Sequence, residues 1–180
     1  MAYQQGDIER AFRNMDDAVR AGADWPAHIA NWINLAFSSG RAAQAWPLLD
    51  KWYRENSDFP EVYVVKAELF IREKDFEKAL AETRKGLAIA PWNTRLMFLE
   101  ARALRELGRA AEALAALEKL LGIKPGMENA AALRVECLAA MKRFRDAYAA
   151  IEALKKEYPA NERKYDELLR KVRGAESLSR

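Results

Sequence analysis

Ala11, Ala45, Ala79, Ala113 and Ala147 are spaced by a constant 34 residues, without one substitution. A period of that length points to a stack of like units, because one such unit is a supersecondary element that buries its apolar face only against its neighbours. Helix packing explains why the column should be alanine. Two antiparallel helices joined by a short turn approach to roughly 8–10 Å, and so close a crossing admits little more than a methyl group. Ala67 and Ala101 offer the matching small surface on the preceding helix, where Ile33 and Val135 are bulkier.

Other columns share the register. Pro91, Pro125 and Pro159 each close an apolar-periodic stretch, and Asp24-Trp25-Pro26 recurs as Asp58-Phe59-Pro60. Gly6, Gly40 and Gly108 fall on one column whose remaining places are Lys74 and Lys142. Each unit reads as helix, turn, helix. In 94–127, Thr94 caps a first helix bearing Leu96, Leu99, Ala103, Leu104 and Leu107, and Gly108 allows the turn. Ala113, Leu114, Leu117 and Leu121 then form the stripe of the second helix. Mixed spacings of three and four place each set on one face of a helix, and no stretch alternates with period two for long enough to build a sheet. The expected fold is all-α, an α-solenoid of antiparallel helix pairs.

Complete units are expected at 26–59, 60–93, 94–127 and 128–161. A second helix of a partial unit precedes them within 7–25, and a capping helix over 161–173 with a frayed tail over 174–180 follows. The last helix surrounds Tyr165, Leu168, Leu169 and Val172 with Lys164, Glu167, Arg170 and Lys171, so one side is polar enough to face water. At the other end, the stripe Ile8, Ala11, Phe12, Met15 and Val19 has only Met1 to Gln5 to rest on. A segment cut from a longer array would begin this way, and so would a natural half-unit start.

Composition removes several classes of function. Apolar residues make up 51% and charged residues 32%, which is an ordered, soluble balance. The net charge of +3 arises from 30 basic and 27 acidic residues interspersed along the chain, the pattern of solvated helix faces more than of a nucleic-acid footprint. Cys137 is the single cysteine and His28 the single histidine, so neither an internal disulfide nor a zinc-protease motif nor a Ser-His-Asp triad can form. Cys137 lies in Val135-Glu136-Cys137-Leu138 and reads as a small buried thiol. No glycine-rich phosphate loop, charged leader or membrane-length apolar run is visible. Neither enzymatic activity nor a cofactor or metal is expected.

The columns resemble the tetratricopeptide repeat (TPR) family. Tyr63, Ala67, Phe70, Phe76, Ala79 and Pro91 carry the likeness in one unit, and Ala101, Leu104, Gly108, Ala113 and Pro125 in the next. The resemblance implies a right-handed superhelix whose first helices line a concave surface that receives a partner protein or peptide. There are departures. Lys66, Glu100 and Arg134 replace the leucine usual before the small residue of the first helix, with Val65, Leu99 and Leu133 one step earlier. The first complete unit carries Trp52 at a place for a small residue, and Pro47 inside its second helix, where a kink is expected.

Mapped onto this chain, the concave surface comprises Asn34, Phe37, Val64, Glu68, Ile71, Arg95, Phe98, Arg102, Arg105, Ala132, Glu136 and Ala139. Phe37, Val64, Ile71 and Phe98 would form an apolar strip for aliphatic or aromatic anchors. Arg95, Arg102 and Arg105 would take partner carboxylates in bidentate pairs. The plainer reading is that Glu68, Arg102, Glu136 and Arg170, again 34 apart, neutralise one another down the groove. The chaperone-tail clamp of some family members is disfavoured, since Asn34 and Arg95 match it but Ala30, Val65 and Leu99 stand where its other polar groups belong. Trp25, Trp32, Trp46 and Trp52 crowd the first complete unit, either as core filling around Pro47 or as an interface.

The expected function is therefore a non-enzymatic protein-interaction scaffold. A cytoplasmic adaptor fits the chain as written. A periplasmic segment of a bacterial cell-envelope or polysaccharide-export assembly protein is the alternative setting. An RNA-binding helical repeat is a third reading, against which the alternating Glu68, Arg102 and Glu136 column counts.

Overall fold

The computed structural model of the protein describes residues 10, 13, 14, 17, 21, 31–33, 35–37, 39, 40 and 42–179. Among them no strand occurs. The helices are α1 (Ala42–Glu55), α2 (Pro60–Arg72), α3 (Phe76–Ile89), α4 (Thr94–Glu106), α5 (Ala110–Ile123), α6 (Glu128–Ala140), α7 (Phe144–Glu157) and α8 (Glu162–Ser177), with a short 3-10 turn at Pro159–Asn161 before the last. The first helices α2, α4 and α6 begin at Pro60, Thr94 and Glu128, so the 34-residue lattice sets the helix starts themselves. Thr94, expected as a cap, is the first helical residue. Of the expected partial unit only residues 10, 13, 14, 17 and 21 are described; Gly6, Ala11 and Asp24-Trp25-Pro26 lie outside the described residues.

Two compact units divide at Asn93 and Thr94. In the first, α1 runs through Pro47 to Glu55 and packs against α2, which pairs with α3. Trp32 and Trp52 are buried, and Trp46 stands edge-on to Phe37 at 5.5 Å and against Phe70 at 5.1 Å. Its indole N–H donates to Glu73 Oε1 at 3.1 Å. Trp32 and Trp52 fill the interior of the unit and Trp46 is half-buried; Trp25 lies outside the described residues. In the second unit each of α4 to α8 packs on the next, and α6 also touches α4 and α8. Ala79, Ala113 and Ala147 of the second helices are fully buried, as are Ala67 and Ala101 of the first helices, which is what a crossing at methyl distance requires. The side chain of Ala45 and all of Ala11 lie outside the described residues.

The column of Gly40, Lys74, Gly108 and Lys142 is a column of left-handed backbone, with φ of 76°, 62°, 75° and 59°. After α4 the amide of Gly108 donates to Arg105 O and that of Arg109 to Leu104 O. The same two bonds recur as Lys74 to Ile71 with Asp75 to Phe70, and as Lys142 to Ala139 with Arg143 to Leu138. This is the Schellman arrangement, in which one left-handed residue lets the chain cap the final carbonyls and turn. A Cβ at Gly108 would meet nothing within 4 Å, so a substitution there acts through backbone conformation alone. Gly108→Ala is expected to lose about 1 kcal/mol of stability, and Lys142→Gly to gain about 0.5–1 kcal/mol, since a side chain in the left-handed region costs roughly 1–2 kcal/mol and the greater freedom of unfolded glycine offsets part of it. Urea unfolding midpoints of the two variants check both signs; movement in the same direction would contradict the assignment.

The chain beyond 173 departs from expectation. No frayed tail begins at Gly174, because α8 continues to Ser177. Glu176 occupies the column that is left-handed in the other units, yet it stays helical, and Tyr148 Oη donates to its Oε2 at 2.6 Å. That bond ties the last turn to α7, while Tyr165, Leu168 and Val172 are buried along the inner side.

Candidate functional site

The mapped surface splits between the two units. In the first, Asn34 lies outside the described residues, Phe37 belongs to the aromatic cluster with Trp46, and Glu68 is half-buried. Val64 and Ile71 keep only 3% and 5% of their surface, so these expected anchors are core residues. The reason is local: Val62, Tyr63, Val64, Val65, Ala67, Leu69 and Ile71 of α2 are all buried, and a helix apolar on most of its circumference is enclosed on most of it. Val65 and Leu99, which displaced the clamp's polar groups, are likewise buried. Ala30 is outside the described residues.

The second unit keeps a mixed surface. Arg95 and Arg102 are exposed on α4, with Phe98 half-buried between them. Their spacing of three and four places all three on one helix face, and Arg105 extends the row by a turn. On α6, Ala132, Glu136 and Ala139 are half-buried. Arg105 Nε lies 3.4 Å from Glu136 Oε2 and Arg105 Nη2 lies 2.9 Å from Glu106 Oε1. The first contact is an ion pair without a hydrogen bond, since Nε itself finds no aligned acceptor. At this exposure such a pair contributes about 0–1 kcal/mol.

The expected charge column does not close on itself here. Glu136 is engaged by Arg105, one turn beyond Arg102, because long helical side chains lean back toward the N-terminus and Arg105 reaches the level of its neighbour. Arg170 turns its Nε to Asp166 O at 3.3 Å. Arg102 joins no ion pair among the described residues.

Cys137 is fully buried, and burial pushes its thiol up to about 11 despite the nearby Arg105 guanidinium, so it stays protonated near neutrality. Among the described residues no cluster of three or more His, Cys, Asp or Glu is placed to hold a metal, and no helix is long and apolar enough to cross a membrane. His28 lies outside the described residues. One juxtaposition that periodicity reasoning passed over is Arg134 with Glu118, which stand two periods beyond Lys66 and Asp50. The signal was present in the lattice as opposite charges at matching places.

A family model described as tetratricopeptide repeat matches residues 70–120 and 104–172, more than half of the chain. No curated protein matches it. Among solved structures, a thermophilic TPR protein of Thermus thermophilus is similar at 16% identity, over 94% of this chain and 91% of that one, with a TM-score of 0.73. YrrB, described as a TPR protein with an unusual peptide-binding site, shares 18% identity over 91% of this chain and 92% of its own, with a TM-score of 0.66. The TPR2B domain of yeast Sti1, solved as a complex with pHsp70, shares 21% identity over 67% of this chain and 98% of its own, with a TM-score of 0.60. At these identities the likeness shows the fold, an α-solenoid of antiparallel helix pairs, in agreement with the sequence reading.

Proposed function

Because the chain belongs to the tetratricopeptide repeat family, we propose that it is a protein-interaction scaffold without chemistry of its own, and that it takes a partner peptide on the α4 face bearing Arg95, Phe98 and Arg102. The observation that carries this reading is Arg102, an exposed guanidinium with no ion pair among the described residues, one turn from the half-buried ring of Phe98. An aromatic anchor beside a free planar cation suits a segment that offers an apolar side chain next to a carboxylate. Support for the class comes from YrrB and the Sti1 domain, whose descriptions name a peptide-binding site and a complex with pHsp70. Burial of Val64 and Ile71 removes them from the expected apolar strip and favours the second unit for this surface.

A displayed peptide library selected on the intact chain tests the proposal. Enrichment of acidic peptides with an aliphatic or aromatic neighbour is expected, together with a loss of about tenfold or more in their affinity for Phe98→Ala combined with Arg102→Ala, since hydrogen bonds to charged groups and central aromatic anchors are each worth that much. The unfolding midpoint of the double variant should stay near that of the parent, both side chains being partly or fully in solvent. Equal selection of the same peptides by parent and variant would move the site off this face.

A further inference from the structure

Among the described residues of the first unit, Phe59, Ile89 and Trp92 are the exposed large apolar side chains, at 45%, 43% and 68% of their full surface. Phe59 immediately precedes α2, Ile89 ends α3 and Trp92 follows it. The two helices are paired and antiparallel, so all three residues stand at one end of the pair. Repeat packing does not ask for them there. The column of Ile89 holds Ala21, Glu55, Ile123 and Glu157, and that of Trp92 holds Asp24, Asp58, Gly126 and Ala160. Clustered apolar groups that the fold leaves in water mark a contact surface. The charges around them are of one sign: the stretch 55–61 carries Glu55, Asp58 and Glu61 and no base, and 86–94 carries no charge. All three carboxylates are exposed and enter no ion pair among the described residues.

The last turns of α8 present the complement. Leu178 is 91% exposed, more than any other large apolar side chain described, and its amide donates to Gly174 O at 3.2 Å, so helical geometry reaches it. Spacings of three and four place Lys171, Gly174, Ala175 and Leu178 on one face, and all four are exposed. Gly174 and Ala175 let another surface approach this face closely, with Leu178 projecting beside them. Arg173 is exposed next to the face. Between 168 and 180 the single acid is Glu176, and Tyr148 Oη already donates to it. The two units differ in the same sense as these two ends: the first carries 12 basic and 14 acidic residues, the second 18 and 13.

We propose that the acidic, apolar end of the α2–α3 pair in one copy of this chain receives the last turns of α8 from a second copy. Leu178 enters among Phe59, Ile89 and Trp92, and Lys171 and Arg173 face Glu55, Asp58 and Glu61. Charge selects this occupant: an apolar segment without bases would leave three carboxylates opposite nothing, whereas α8 joins its exposed leucine to cations on one helix end. Two different surfaces meet, so the contact is heterologous. Each pair of copies keeps one open surface of each kind, and association continues head to tail. Three side chains and one helix end cover much less than the roughly 800 Å² per partner of a standard stable interface. The association is therefore weak, and its products grow with concentration.

Sedimentation equilibrium of the intact chain tests the proposal. From about 10 µM to 1 mM, the range in which a weak contact forms, the average mass should rise steadily with concentration. Ile89→Glu with Trp92→Asp places at each position a residue that the same column already holds at 55 and 58, so the fold is kept. This variant should lose at least about tenfold in association constant, as removal of central apolar anchors implies. Leu178→Glu should do the same, and so should Lys171→Glu with Arg173→Glu. Mixed in equal amounts, the Ile89→Glu, Trp92→Asp variant and the Leu178→Glu variant should form a heterodimer that grows no further, because each retains the surface that the other lacks. Circular dichroism of these variants should match the parent, every altered side chain being exposed. Phe98→Ala with Arg102→Ala should leave association unchanged, which separates this contact from the α4 face. A parent that stays monomeric throughout the range would overturn the proposal. So would failure of the two variants to complement one another, which would mean that each surface meets its own kind or a different protein.

Discussion

Leu117→Ala is expected to lower the stability of the second unit by about 2–5 kcal/mol, the range for removing a large aliphatic side chain from an enclosed site that relaxes only in part. Leu117 is fully buried on α5, and α5 packs against both α4 and α6, so the lost atoms were shared between two helix contacts. The counterpart one period earlier, Thr83, is also fully buried and satisfies its hydroxyl by donating to Leu80 O at 2.8 Å. One period later stands Ile151, again without exposure. A column that stays enclosed through a threonine, a leucine and an isoleucine marks the axis of the second-helix packing. Denaturant unfolding, read with hydrogen exchange of α4 to α6 amides, measures the loss. A change below about 1 kcal/mol would show that α5 is not held at this point.

Ala113→Leu, on the same helix and one turn earlier, tests the opposite error of volume. Ala113 and Ala101 are both fully buried on the paired helices α5 and α4, so added carbons have no free space to occupy. Overpacking of this kind is expected to cost about 1–3 kcal/mol. Ala111→Leu, at an exposed site of the same helix, should stay within about 0.5 kcal/mol of the parent and so separates crowding from helix propensity. If both leucines proved equally mild, the alanine column would need another explanation than helix approach.

Most of the architecture was legible in the sequence because period and residue size are geometric quantities. The lattice placed α2, α4 and α6 at their observed starts, and the glycine column located the left-handed turns, including those where Lys74 and Lys142 show no glycine signature. Burial of Trp32 and Trp52 followed the core-filling reading. What escaped depended on the side chains of particular neighbours. The extension of α8 to Ser177 is accompanied by a bond from Tyr148 to Glu176, which no pattern within α8 announces. Val64 and Ile71 were placed on a surface by their column, but α2 is apolar around most of its circumference and such a helix has no sequence-defined outer face. The pairing of Glu136 with Arg105 in place of Arg102 arises from how far an arginine reaches. Arg134 and Glu118, opposite charges in matching columns, line one cavity without forming an ion pair, which the columns alone do not announce.

The repeated left-handed hinge has a consequence for how such a chain can change its length. Since each bend is specified by one backbone angle and two amide bonds, lysine can serve where glycine does, at a conformational cost of about 1 kcal/mol. A duplicated or deleted block of 34 residues therefore restores the same joint at either cut. Extent becomes a quantity that recombination can alter in whole steps, while the exposed side chains of any one step vary separately.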